Sequence, residues 1–327
     1  MPTHTGGNRP QGRAGFARTE LVIITATVSL LALLQAATLG ALGPATGGAQ
    51  CLANLRELTR AWQQYGLQEG QLPPNPGDGN TSPGRNWVPG VCGPRQGEEF
   101  NPEVLQDPGR SLLFPYLEPG DSAVFRCPAD GRMGRYQGTD PALAGRMVPA
   151  ARSYAMNAAV GTTTLNGIVF APLDGPWLDN HHTHRRGQKW RTYARFDEII
   201  DPAPANLAVL LGEDANSIND GSLGFGMETP EWIDWVSTRH SMSGGIAFAD
   251  GHVGMHAWTD PRTVVRNGIV NRVRVPGSVD HAWLRDRISA RIELDRPRIL
   301  PPAPALGLNR MRLVWPAAGA PGHRLES

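Results

Sequence analysis

At 327 residues the chain is long enough for one large or two small globular units with a sizeable core. Its 31 Lys and Arg against 30 Asp and Glu leave a net charge of +1, which argues against a polyanion-binding surface and so against a nucleic-acid partner. The 39 Gly and 29 Pro are about a fifth of the chain, above the usual ~12%, which disfavours a helical bundle and points to a loop-rich sheet domain.

The first element is an apolar helix. Leu21 to Leu42 carries no formal charge, and at about 1.5 Å per residue a helix of that length spans roughly 33 Å, a hydrocarbon core. Arg9, Arg13 and Arg18 precede it, with no acidic residue before Glu20, so the positive-inside bias holds the N-terminus in the cytoplasm and sends the rest across. A lone carboxylate at the bilayer edge costs on the order of 2 to 3 kcal/mol, so Glu20 is expected to have a partner.

A basic leader ending in Gly15, then Phe16, Glu20 four residues on and a long apolar run resembles the prepilin cleavage and methylation signature of type IV pilins and type II secretion pseudopilins. The resemblance implies peptidase cleavage after Gly15, methylation of the new Phe16 amine, and a role for Glu20 in meeting that amine on another subunit. The sequence departs from the family in having Arg18 at a usually apolar position and Ala37 where a helix-kinking proline is common. The alternatives are an uncleaved anchor and a secretory signal cut near Ala36, Ala37, Gly40 or Ala41. The apolar run is longer than the roughly 7 to 15 residues typical of a signal.

Gly43-Pro44 and Gly47-Gly48 should interrupt the helix, which resumes near Ala49. Leu52, Leu55, Leu58, Trp62 and Tyr65 then recur at three- and four-residue steps, one packing stripe on a polar stalk helix that Gly66 and Gly70 end. This block, from Cys51 through Asn54-Leu55 and Tyr65 to Leu72-Pro73-Pro74, resembles the continuation of a large pilin-like group of bacterial proteins.

Asn75 to Glu99 reads as a surface loop, and Leu112, Leu113, Phe114, Tyr116 and Leu117 as a segment that packs on the stalk. Val124 to Gly131 is expected to be a strand running into a turn, with a Cys127-Pro128-Ala129-Asp130 element similar to one in the same group. Ser153-Tyr154-Ala155-Met156-Asn157 resembles a recurrent strand there. Cys92 with Cys127 is the expected disulfide, because Cys51 sits on the stalk near the membrane and is left odd. No two cysteines form a CxxC spacing, which speaks against zinc or thioredoxin-like chemistry.

The run from Asp179 to Arg186, with His181, His182 and His184, reads as a solvated basic loop, with a metal site or a partner contact as the alternatives. Asn206 to Leu211 is the best candidate for a buried strand, and it leads to Glu213 and Asp214. Arg239 to Val253 holds His240, nine intervening residues, then Asp250-Gly251, which resembles the C-terminal motif of the same prepilin-type group. Read physically, it is a hairpin whose Asp250-Gly251 suits a type I′ turn, returning through Val253, Met255 and Ala257. A calcium or other ion site using Asp250, with Asp214 and Glu213, is the alternative to a purely structural motif. Pro261 to Val270 and His281 to Glu293 are short helix candidates, and Arg296 to Ser327 is Pro- and Ala-rich.

The expected organisation is a leader over residues 1–15, a transmembrane helix over 16–43, a stalk helix over 44–70, a β-rich domain over 71–280 and a C-terminal extension over 281–327. The expected fold is α+β and pilin-like, a long N-terminal helix on an antiparallel sheet. There is no G-x-S-x-G, HExxH, Walker or dinucleotide-type motif, so no enzyme is expected. The resemblance implies a filament subunit anchored in the inner membrane with a periplasmic domain. Its partners would be copies of itself, prepilin peptidase, the assembly machinery and lipid, and its only ion, if any, calcium. Two other classes compete. One is a surface-anchored glycan-binding domain using Trp177, Trp190, Trp232, Trp235 and Trp258. The other is a membrane-anchored enzyme in which His240, Asp250, Glu213 and the 181–184 histidines converge.

Overall fold

A computed structural model describes residues 47–75, 86–90, 92, 97–117, 122–165, 169–265, 272–292, 298–299 and 313–314. The leader, Gly15, Phe16, Glu20 and the apolar run lie outside the described residues. Among the described residues no helix is long and apolar enough to cross a membrane.

Helix α1 (Gly48–Glu69) ends on Gly70, whose φ of 69° is the left-handed cap that glycine adopts without steric cost. Its buried face is Cys51, Leu55, Leu58, Trp62 and Tyr65, so the stripe begins at Cys51, and Leu52 stands at its half-buried margin. Gly66 does not end the helix. It is a notch on the buried face, where a Cβ would come within 2.6 Å of the Phe196 ring. Tyr65 packs edge-on against Tyr116 at 5.9 Å, which seats the 112–117 segment on the helix as its apolar composition predicts.

The helix packs on a five-stranded sheet. In chain order the strands are β1 (Tyr154–Asn157), β2 (Ala208–Gly212), β3 (Ser222–Leu223), β4 (Ser243–Phe248) and β5 (Val253–Ala257). Their spatial order is β5-β4-β2-β1-β3. All neighbours are antiparallel except β1 and β3, so the expected antiparallel sheet carries one short parallel edge. β2 lies at the centre with every residue buried, in keeping with the apolar run at Asn206 to Leu211.

Buried polar side chains tie these elements together. Asn75, fully buried just beyond the Pro-Pro stop, donates to the carbonyls of Asn157 and Val160 at 3.0 Å each. Asn157 in turn donates to Ala208 O on β2 and Ile288 O, and accepts from Ala159 N–H. These bonds satisfy carbonyls that would otherwise be stranded away from water.

Three expected elements differ. Val124 lies in a 3-10 turn, Ser122–Phe125, not a strand: Arg126 N–H donates back to Ala123 O at 3.1 Å, and Arg126 O accepts from the α1 side chain Asn54 at 2.8 Å. The β4–β5 turn is not type I′. Phe248 O accepts from Gly251 N–H, Phe248 N–H donates to His252 O, and of the two turn residues only Gly251 has a positive φ (97°). That is the three-residue loop in which a type I turn is closed by a left-handed glycine. Finally, the folded domain does not stop at 280. Helix α2 (Val279–Ile288), capped by Ser278 Oγ, buries His281, Leu284 and Ile288, and Arg191 N–H donates to Ala290 O. The inner face of α1 is part of the core of this domain.

Candidate functional site

Three separate elements bring Cys51, Cys127 and His240 together. Cys51 projects from the first turn of α1 on the apolar face, four residues before Leu55. Cys127 opens a tight turn in which Asp130 N–H donates to Cys127 O at 2.9 Å. His240 stands in the turn before β4, with Ser241 and Met242 both at positive φ. One ligating atom from each lies within 4.8 Å of the other two, and Cys127 Sγ is 3.1 Å from His240 Nε2. Both sulfurs are buried and His240 is half-buried. Gly245 makes room for this approach, since a Cβ there would stand 3.2 Å from Cys51 Sγ and 2.7 Å from Leu55 Cδ1.

The electrostatics separate the two thiols. A hydrogen bond from Cys51, then the Ala129 N–H and the charges of His240 and Arg239, outweigh burial and pull the Cys127 thiol below its usual range. Cys51 is pushed up, as the donor of that bond and by burial. Tyr154 Oη sits 3.4 Å from Cys51 Sγ. Arg239 is held by Asp130 at 3.5 Å, and Asp130 also takes Arg132 and the Ser153 hydroxyl (2.6 Å). Burial alone would raise the Asp130 carboxyl, but these donors hold it down at about 2.

No family profile, curated protein or solved structure matches the chain.

The expected Cys92–Cys127 pair is not formed. All three cysteines are free and buried, and Cys127 neighbours Cys51. The helical period turns Cys51 inward, and Asn54 draws in the carbonyl just before Cys127. Cys92 is held elsewhere by its N–H to Asn219 O at 2.7 Å. The three carboxylates considered for an alternative ion site do not converge either. Asp250 is at the β4–β5 turn, bound to His252 Nδ1 at 2.6 Å, while Glu213 and Asp214 follow the opposite end of β2. Asp214 Oδ1 is occupied by Asn216. Glu213 is fully buried; burial first, then Asp234 and Asp220, push its carboxyl well above the usual range, which disfavours the anionic form that a cation ligand needs.

That assignment predicts a pH dependence. A carboxyl whose folded pKa is raised contributes stability at pH below its unfolded value and loses it as pH rises. Glu213→Gln is therefore expected to melt higher than wild type at pH 8, with little difference at pH 4. Equal shifts at both pH values would contradict a raised Glu213 carboxyl.

The histidine run is structural. His184 is buried, with Nδ1 2.7 Å from Asp174 O and Nε2 accepting from Trp190 N–H at 3.1 Å; His182 lies against Trp177. Asp179 accepts from His181 and Thr183 and turns the loop. Of the five tryptophans considered for a ligand platform, Trp190, Trp232, Trp235 and Trp258 are buried. An open cleft of about 700 Å³ lined by Asp201, Asn206, Arg285, Arg287 and Arg291 adds no ligating cluster. Among the described residues, Cys51, Cys127 and His240 are the only group of three or more metal-type ligands.

Each of the three was singled out by its own motif, and their convergence was missed. The one legible clue was that Cys51 shares the helical spacing of Leu55, Leu58 and Trp62, which places its sulfur toward the sheet.

Proposed function

We propose that the chain is a pilin-like subunit of a type IV pilus-like or type II secretion-like filament, anchored in the inner membrane with its folded domain on the periplasmic side. What supports this reading is the order of two segments along the chain. An uncharged run of 22 residues, preceded by Phe16 and Glu20, is followed after five residues by a helix whose inner face is core to the folded domain. A subunit so built can be drawn from the bilayer and stacked with the domain fixed to its helix. The cationic Phe16 amine of one copy can neutralise Glu20 of another within lipid, which sets the register of an otherwise greasy bundle.

Mass spectrometry of the mature N-terminus tests processing: the chain is expected to begin at a methylated Phe16, and a start after Ala36 or later overturns the reading. Glu20→Ala is expected to insert normally yet fail to assemble. Filaments of wild-type length and abundance from that variant would overturn the role given to Glu20.

A further inference from the structure

We propose that Cys51, Cys127 and His240 are the protein ligands of a thiophilic divalent cation, with zinc the best fit, bound where α1, the Cys127 turn and the start of β4 meet. Zinc bonds sulfur at about 2.3 Å and imidazole nitrogen at about 2.0 Å, so atoms sharing one ion must lie within about 4.6 Å of each other. The three candidate atoms satisfy that with small adjustment, being within 4.8 Å of one another.

The donor set decides the kind of ion. Two sulfurs and an imidazole select zinc or another soft cation and reject calcium, which takes oxygen ligands at higher coordination. Each sulfur also has a hydrogen-bond donor behind it, Tyr154 Oη for Cys51 and the Ala129 N–H for Cys127, as metal-bound thiolates require. Two thiolates, a neutral imidazole and a divalent cation sum to zero, so the buried centre carries no net charge. Arg239 alongside is answered by Asp130. Three protein ligands would leave a fourth position for water.

A Cys51–Cys127 disulfide is the competing outcome. It would use the same sulfurs but give His240 no part, although the side chain stands 3.1 Å from Cys127 Sγ. The ion would close a loop running from the root of α1 to the edge of β4, whatever the filament reading turns out to be.

The test uses the full chain purified without reductant or chelator. Elemental analysis is expected to give one zinc per chain. After chelation, cobalt(II) should produce thiolate-to-cobalt charge-transfer absorption together with tetrahedral ligand-field bands. Cys51→Ser, Cys127→Ser and His240→Ala should each abolish or distort that spectrum, while Cys92→Ser should leave it unchanged. If the ligand variants do not fold, Tyr154→Phe keeps all three ligands and is expected to weaken zinc binding by about tenfold or more, read by competition with a chromophoric chelator. Zinc should also raise the melting temperature of the chelated wild type. Absence of zinc with a featureless cobalt spectrum overturns the proposal. So does a peptide map linking Cys51 to Cys127 in a chain two hydrogens lighter than the reduced mass.

Discussion

Replacing Trp62 with alanine is expected to lower the free energy of unfolding by about 3–5 kcal/mol, the range for deleting a large buried aromatic ring. Trp62 is fully buried on the face of α1 that meets the sheet, and Phe196 packs edge-on against it at 5.1 Å. Its Nε1 has no hydrogen-bond partner, so the loss is one of packing and cavity formation, not of a polar contact. Trp62→Phe retains much of the ring volume and is expected to cost roughly 1–2 kcal/mol. Urea denaturation of the two variants checks this. A Trp62→Ala cost under about 1 kcal/mol would mean that the helix is not held by this face and that the domain folds without it.

The second large effect concerns Asp130. Its carboxylate is 2% exposed and is the common anion for Arg132, Arg239 and the Ser153 hydroxyl. Asp130→Ala leaves two largely buried guanidinium groups without that counter-charge, and the expected loss is about 3–5 kcal/mol. Its signature is in the acid limb of the stability curve. The folded carboxyl sits at about 2 against an ordinary 3.8, so its contribution is complete above about pH 4 and is lost as pH falls toward 2. That difference corresponds to about 2 kcal/mol. Wild type should therefore lose this amount between pH 4 and pH 2, and Asp130→Ala should show a shallower acid slope. Parallel slopes for the two proteins would show that the carboxylate does not titrate as the packing requires.

What the sequence made legible was local and periodic. The spacing of Leu55, Leu58, Trp62 and Tyr65 fixed the helix and its inner face, the apolar run at Asn206 to Leu211 located the central strand, and the alternation before Asp250-Gly251 located the hairpin. Those readings depend only on near neighbours in the chain. The thiol and imidazole cluster depends on contacts across 76 and 113 residues, set by the depth at which α1 beds on β4. No periodicity encodes that depth; it follows from side chains such as Asn54, which holds Arg126 O, and from the bare surface of Gly245. The turn at Asp250 is ambiguous in sequence for a smaller reason. Asp-Gly serves both two-residue and three-residue hairpin loops, and only the pairing of Phe248 with His252 distinguishes them. Glu213 and Asp250, alike in sequence as carboxylates, lie at different ends of the sheet, one fully buried and the other at a turn with His252.

The nine residues between His240 and Asp250 act as a measuring rod. At one end His240 meets Cys127 beside Cys51; at the other Gln63 of the helix donates to Ala249 O at 3.1 Å. From Cys51 to Gln63 the helix rises about 18 Å, and the six residues of β4 extend roughly 17 Å. Strand and helix therefore meet near both ends of β4, through the Cys51 and His240 cluster at one end and Gln63 at the other. Pulling on the helix along its axis would load the strand as a whole instead of peeling it from one end. Adding or deleting residues between the two contacts would leave one of them unreachable.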